Sequence, residues 1–235
     1  MRLSILIFLT ILASQVACEK NDKTPMNSDS DKLTYLALGD SYTIGEGVDE
    51  AERYPNQTIA LLEQGNIEFG KPQIIARTGW TTDELAKGIV DANIKGQTFD
   101  LVTLLIGVNN QYRGRPIANY AEEFEGLLKQ AIEFAGGDAN HVVVLSIPDW
   151  GVTPFALDRD TDQGKVALEI DNFNKTKTEI TKRLGAHYID ITEEYRKNGG
   201  EKNMVVSDKL HPSRLIYKSW ADKLVHVISE KINLD

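Results

Sequence analysis

Apolar and polar positions along the chain follow two alternating periods, and each change of period marks a new element. Leu33 to Leu38 is a short apolar run ending at Gly39, which predicts a buried strand. Arg53-Tyr54-Pro55 opens a helix with proline in its first turn, closing near Gly65. Pro72 to Ala76 predicts a second strand. Thr81-Thr82-Asp83-Glu84 then has the form of a capping box, after which Leu85, Ile89 and Ala92 fall on one helical face. Phe99 to Ile106, His141 to Ile147 and Ala186 to Ile189 predict three more strands. Between them, Pro116 begins a helix with Tyr120, Phe124, Leu127, Leu128 and Ala131 at helical spacing, and Ile170, Phe173, Ile180 and Leu184 mark a longer one. Pro212 is expected to open the last helix, with Ile216, Trp220, Leu224 and Ile228 facing inward.

Strands that alternate with helices predict a parallel sheet, because parallel neighbours need crossover connections. The runs Leu101 to Ile106 and Val142 to Ile147 lack polar alternation, as expected of strands buried on both faces. The predicted fold class is therefore α/β, a three-layer α/β/α sandwich with a flavodoxin-like parallel sheet of about five strands. In such sheets ligands collect beyond the carboxyl ends of the strands.

The first residues follow a different pattern. Met1-Arg2 precedes an apolar run from Leu3 to Ala13, and Ser14-Gln15-Val16-Ala17 leads to Cys18. A basic start, a short apolar stretch and small residues predict a signal peptide at 1–17. The run is shorter than the roughly 20 residues of a membrane-spanning helix. Cys18 after Val16-Ala17 resembles the bacterial lipobox, with Gln15 standing where that pattern usually has Leu. The resemblance implies lipidation of Cys18 and an exported, membrane-anchored lipoprotein facing the periplasm or the cell surface. Residues 18–31 offer almost nothing to bury and predict a disordered tether. One folded domain is expected over 32–235.

Composition narrows the partners. The formal net charge of -9 repels nucleic acid, so none is expected as a partner. With a single cysteine no internal disulfide can form, and four scattered histidines supply no ligand cluster at metal spacing. No phosphate-binding Gly-x-Gly-x-x-Gly or Gly-Lys-Ser loop follows the first strand. No metal or cofactor is expected.

Four segments fall at the carboxyl edge of the predicted sheet. Gly39-Asp40-Ser41-Tyr42 follows strand one, where a serine at a strand-to-helix turn projects its hydroxyl into the cleft. Ser207-Asp208-Lys209-Leu210-His211-Pro212 places a carboxylate three residues before a histidine, in reach of Nδ1–H, leaving Nε2 as a base. Gly79 follows strand two and Gly107-Val108-Asn109-Asn110 follows strand three. A glycine N–H and an asparagine NH2 can both donate to an oxyanion. His141, His187 and His226 fall in a strand, a strand and an amphipathic helix, and read as structural or surface residues. Together the four loops hold a nucleophile, a base with its orienter, and oxyanion donors, the set that acyl transfer requires.

In that order, Gly39-Asp40-Ser41, Gly79, Gly107-x-Asn109 and Asp208-x-x-His211 resemble the four sequence blocks of the SGNH (GDSL-type) hydrolases. The resemblance spans nearly the whole folded region and is closest to lysophospholipase- and thioesterase-like members and carbohydrate acetylesterases. It implies Ser41 as nucleophile, His211 as base and Asp208 as its orienter, with an oxyanion hole from Ser41, Gly79 and Asn109. Many relatives carry Asp after the block-three Asn, where this chain has Asn110. The implied activity is hydrolysis of a carboxylic ester through an acyl-enzyme. Short acyl esters, lysophospholipids and acetylated glycans are all open as substrates. An acyltransferase uses the same machinery, and a non-catalytic glycan- or lipid-binding lipoprotein shares the scaffold. Trp80, Trp150 and Phe155 are the aromatics expected to shape an acyl or sugar pocket; pinning a long loop is the competing role for the last two. Arg113 reads as a solvated surface arginine.

Overall fold

Residues 32–234 are described by the computed structural model, so the predicted signal peptide, Cys18 and the tether lie outside the described residues. The apolar runs become strands where expected, with trimmed ends. β1 (Tyr35–Gly39), β3 (Leu101–Leu105) and β4 (Val142–Leu145) are buried at every position. β2 (Gln73–Ala76) and β5 (His187–Ile189) form the edges and are partly exposed. Every pairing is parallel, in the order β2-β1-β3-β4-β5. This is the flavodoxin-like order, and the direction of winding reverses between β1 and β3.

The helices are α1 (Ser41–Ile44), α2 (Tyr54–Gln64), α3 (Thr82–Asp91), α4 (Val108–Tyr112), α5 (Ile117–Phe134), α6 (Pro154–Leu157), α7 (Gln163–Leu184), α8 (Thr192–Asn198) and α9 (Arg214–Lys231). α2 packs on α9, while α3 and α7 both pack on α5, giving the two helical layers. On α9, Trp220 is fully buried and meets the rings of Tyr42, Tyr54, Tyr195 and Tyr217 at 5.2–6.3 Å between centroids. Such pairs contribute roughly 0.5–1.5 kcal/mol each beyond area burial. The cluster anchors α9 beneath the turn that follows β1.

Two boundaries differ from expectation. Pro212 does not open the last helix: Ser213 is the N-cap, its hydroxyl accepting from Leu215 N–H, and Pro212 instead forms an isolated bridge with Val205. A capping hydroxyl satisfies an orphan helix N–H, which proline at that place cannot do. Ala92 is the C-cap of α3 and exposed, because the helix ends at Asp91. The short helices α1, α4 and α6 hold too few residues to show a period. Among the described residues, no helix is long and apolar enough to cross a membrane.

Candidate active site

The turn that carries the expected nucleophile, Ser41, depends on a missing side chain. A Cβ on Gly39 would lie 2.1 Å from Thr43 Oγ1 and 2.4 Å from the Leu105 carbonyl oxygen, so only glycine lets β1 run beside β3 into α1. Asp40 caps α1 by accepting from Tyr42 N–H at 3.0 Å, and Ser41 is its first residue, 4% exposed. The other carboxylate oxygen of Asp40 is buried without a hydrogen-bond partner. Burial pushes the Asp40 carboxyl up to about 7, against the opposing pull of Tyr42 N–H and the Lys177 ammonium. Lys177 on α7 is fully buried, donates to the Leu145 carbonyl at 2.9 Å, and is lowered by burial to about 7.

The loops after β2 and β3 are fastened to each other. Gly79 adopts φ +87°, a conformation that favours glycine, and its carbonyl accepts from Arg113 Nη2 at 2.6 Å. Asn109, in α4, donates from Nδ2 to the Trp80 carbonyl at 3.0 Å, leaving its second amide proton uncommitted by that bond. Asn110 is fully buried: its Oδ1 accepts from Thr82 N–H at 3.1 Å and its Nδ2 donates to Thr82 Oγ1 at 2.7 Å. The asparagine at the position where many relatives have Asp thus ties α4 to the start of α3. Arg113 is exposed, as expected of a surface arginine, and also clamps the Gly79 loop.

The expected base, His211, sits on the loop between α8 and α9. Val206 N–H donates to the His211 carbonyl and Ser213 N–H to the Met204 carbonyl, with Lys209 at φ +66° at the tip. Asp208 Oδ2 lies 2.6 Å from His211 Nδ1, and its Oδ1 accepts from the N–H groups of Leu210 at 2.8 Å and His211 at 2.9 Å. Partial burial pushes the Asp208 carboxyl up. The His211 ring and the two N–H groups outweigh it and hold the carboxyl below its ordinary range. An ionised carboxylate only accepts, so Nδ1 carries the proton and Nε2 of the neutral ring keeps its lone pair. The imidazole is buried against the Tyr42 ring, 5.6 Å between centroids.

Ser41, Gly79, Asn109 and His211 line one cleft of ≈ 200 Å³, together with Thr78, Val108, Tyr112, Trp150, Phe155 and Leu210. Trp150 and Phe155 line this cleft, and Trp150 also pins its loop by donating to Gln111 Oε1 at 2.8 Å. Trp80 does not. Its ring lies on α3 in the slot left by Gly88, where a Cβ would sit 2.1 Å from Trp80 Cη2, and it is not among the cleft-lining residues. The missing side chain at Gly88 is the physical reason, and two positions so far apart in sequence do not advertise it. Tyr112, Thr78 and Leu210 line the cleft without having been singled out. The first lies three residues past Asn109 and the last precedes His211, so adjacency to the motifs is the signal that finds them. The remaining histidines bond elsewhere: His141 to the Asp100 carbonyl, His187 to Asn140, His226 to Glu230. Among the described residues, no group of three or more His, Cys, Asp or Glu is placed to hold a metal ion.

The sequence profile of the GDSL-like Lipase/Acylhydrolase family matches residues 37–218, a span that includes all four loops. No curated protein matches the chain. Among solved structures, the lipase Lip_vut3 from a goat rumen metagenome is similar at 19% identity and a TM-score of 0.68, covering 87% of this chain and 100% of that one. The lipase/acylhydrolase of Enterococcus faecalis is similar at 18% identity and 0.64, covering 86% and 98%. The psychrotrophic esterase EstA of Pseudoalteromonas sp. is similar at 17% identity and 0.63, covering 85% and 98%. These likenesses show a shared fold.

Proposed function

The chain belongs to the GDSL-like lipase/acylhydrolase family, and from that premise we propose that it is a serine esterase with Ser41 as nucleophile, His211 as general base and Asp208 as its orienter. Hydrolysis of an ester follows from the family; the residue roles rest on geometry. The observation that carries them is the 2.6 Å pair of Asp208 Oδ2 and His211 Nδ1 opening onto the same cleft as Ser41, Gly79 and Asn109.

Ser41 Oγ attacks the carbonyl carbon while His211 Nε2 takes its proton. Asp208 holds the ring in the required tautomer and stabilises the imidazolium. The oxyanion is met by the N–H groups of Ser41 and Gly79 and by the Asn109 amide. As the tetrahedral intermediate collapses, the C–O bond breaks and His211 gives its proton to the leaving alcohol, leaving an acyl group on Ser41. Water, deprotonated by the same imidazole, then releases the acid. We further place the enzyme outside the cytoplasm, anchored through a lipid on Cys18, a reading supported by the pattern of residues 1–18.

The test compares the full-length protein with Ser41→Ala on p-nitrophenyl esters from acetate to octanoate. Wild-type activity that falls by roughly 10³-fold or more in the variant is expected. Equal rates in the two proteins would remove Ser41 from the nucleophile role, and none in either would point to a binding role on the same scaffold or to a larger natural substrate.

A further inference from the structure

The wall of the cleft contains a relay that the triad does not use. Trp150 lines the cleft beside Ser41 and His211 while remaining only 7% exposed. Its indole N–H donates to Gln111 Oε1 at 2.8 Å, and Gln111 Nε2 donates to Glu169 Oε2 at 2.7 Å. Gln111 is a buried residue of α4, the helix that carries Asn109, and Glu169 belongs to α7. A line of two hydrogen bonds therefore runs from α7 through a buried amide to the ring. Tyr112 and Phe155 meet that ring edge-on, at 5.2 and 6.3 Å. Beneath it, Asp149 accepts from Gly151 N–H and from Arg196 Nε, both at 2.9 Å, fixing the backbone of the loop.

A wall held in this way does not yield to a larger substrate. Turning the indole aside would leave a buried donor without its acceptor, and such a group is expensive to bury. The cleft it walls has ≈ 200 Å³, below the roughly 300–1,000 Å³ of sites for drug-sized ligands. Its remaining walls include Tyr42, Val108 and Leu210, and among the described residues no Lys, Arg, Asp or Glu lines it. The group it receives is therefore short, uncharged and apolar. That group is taken as the acyl arm, the part of the ester that stays on Ser41 while the alcohol leaves, and a series that varies acyl length at constant alcohol tests the assignment.

We propose that Trp150, held by the Gln111–Glu169 relay, sets the upper length of the acyl chain and restricts the enzyme to esters of short, uncharged acids. This rests on the serine-esterase reading above. Gln111 and Glu169 are positioning residues; neither lines the cleft.

The experiment measures kcat/KM of the full-length protein for p-nitrophenyl acetate, butyrate, hexanoate and octanoate, with thermal melting as a control for folding. Wild type is expected to lose about tenfold or more at one step of the series, the scale at which a pocket discriminates methylenes. Gln111→Met removes the acceptor and the donor together and is expected to raise the octanoate-to-acetate ratio by about tenfold. The double variant Q111E/E169Q rebuilds the relay with its polarity exchanged: the introduced amide donates to the introduced carboxylate, which accepts from the indole. It is expected to restore the wild-type ratio. If Gln111→Met does not fold, Trp150→Phe, which keeps a ring and drops the N–H, is read by the same ratio. A ratio that stays at the wild-type value in whichever of these single variants folds, with activity retained, overturns the inference and leaves the esterase reading standing. Activity that never depends on Ser41 overturns both.

Discussion

The proposed oxyanion donors owe their positions to bonds that brace their loops. Asn109 is braced by the Trp80 carbonyl, Gly79 by Arg113, and Asn110 by Thr82, so the loops after β2 and β3 move as one piece. Donors fixed before the charge develops need no reorganisation when it does, which makes this kind of stabilisation large. Asn109→Ala should therefore lower kcat by roughly 10²–10³-fold with little change in KM. Steady-state kinetics on a p-nitrophenyl ester checks this, and a loss under about threefold would remove Asn109 from the role. Residues whose chemistry is carried by close neighbours in the chain were legible: Asp208 and His211 are three apart, and Ser41 follows the glycine that makes its turn. Trp80 was not, because its direction is decided by the slot over Gly88. Gln111 was not either, since its value lies in two bonds to residues far along the chain, Trp150 and Glu169.

At the scale of elements, long periodic segments were legible and short ones were not. α5, α7 and α9 run for 18, 22 and 18 residues, enough to repeat an apolar stripe several times. α4 has five residues and carries Asn109, the proposed oxyanion donor, and no period can be read over so short a span. On α7 the stripe of Ile170, Phe173 and Ile180 continues through Lys177, and a lysine in a core position is itself a signal. Its linkage has a definite sign. Lys177 is lowered to about 7 by burial, so between about 7 and its ordinary value of 10.5 the unfolded chain binds a proton that the folded one lacks, and stability rises with pH. Asp40 is raised by burial from 3.8 to about 7, so over that window its contribution falls as pH rises. Lys177→Met deletes the first effect and leaves Asp40 without its cation. The melting temperature of the variant relative to wild type should therefore decline steadily from pH 7 to pH 10. Thermal denaturation at pH 5, 7, 9 and 10 tests it; an offset that is the same at every pH would show that Lys177 contributes only its shape and its bond to Leu145.

For the molecule as a whole, the question is what would keep it at a membrane. A net charge of -9 sets its field against anionic lipid, so adsorption of the folded domain by surface charge is opposed. Among the described residues no helix can cross a bilayer. The proposed attachment lies in the segment before residue 32, where Cys18 is the side chain proposed to carry acyl chains. Lipid chains act by burying methylenes, about 0.8 kcal/mol each, and two together hold where one is marginal. This attachment does not depend on ionic strength, whereas attraction between exposed charges is screened within about 3 Å at 1 M salt. Expressed at full length in a bacterium, the protein should sediment with membranes, stay there through a 1 M salt wash, and incorporate labelled palmitate. Cys18→Ser should abolish the label and release the protein to the supernatant while leaving Ser41-dependent esterase activity intact. Release of the wild type by salt alone, or sedimentation of the Cys18→Ser variant with the membranes, would sink the lipid anchor and leave the catalytic reading unaffected.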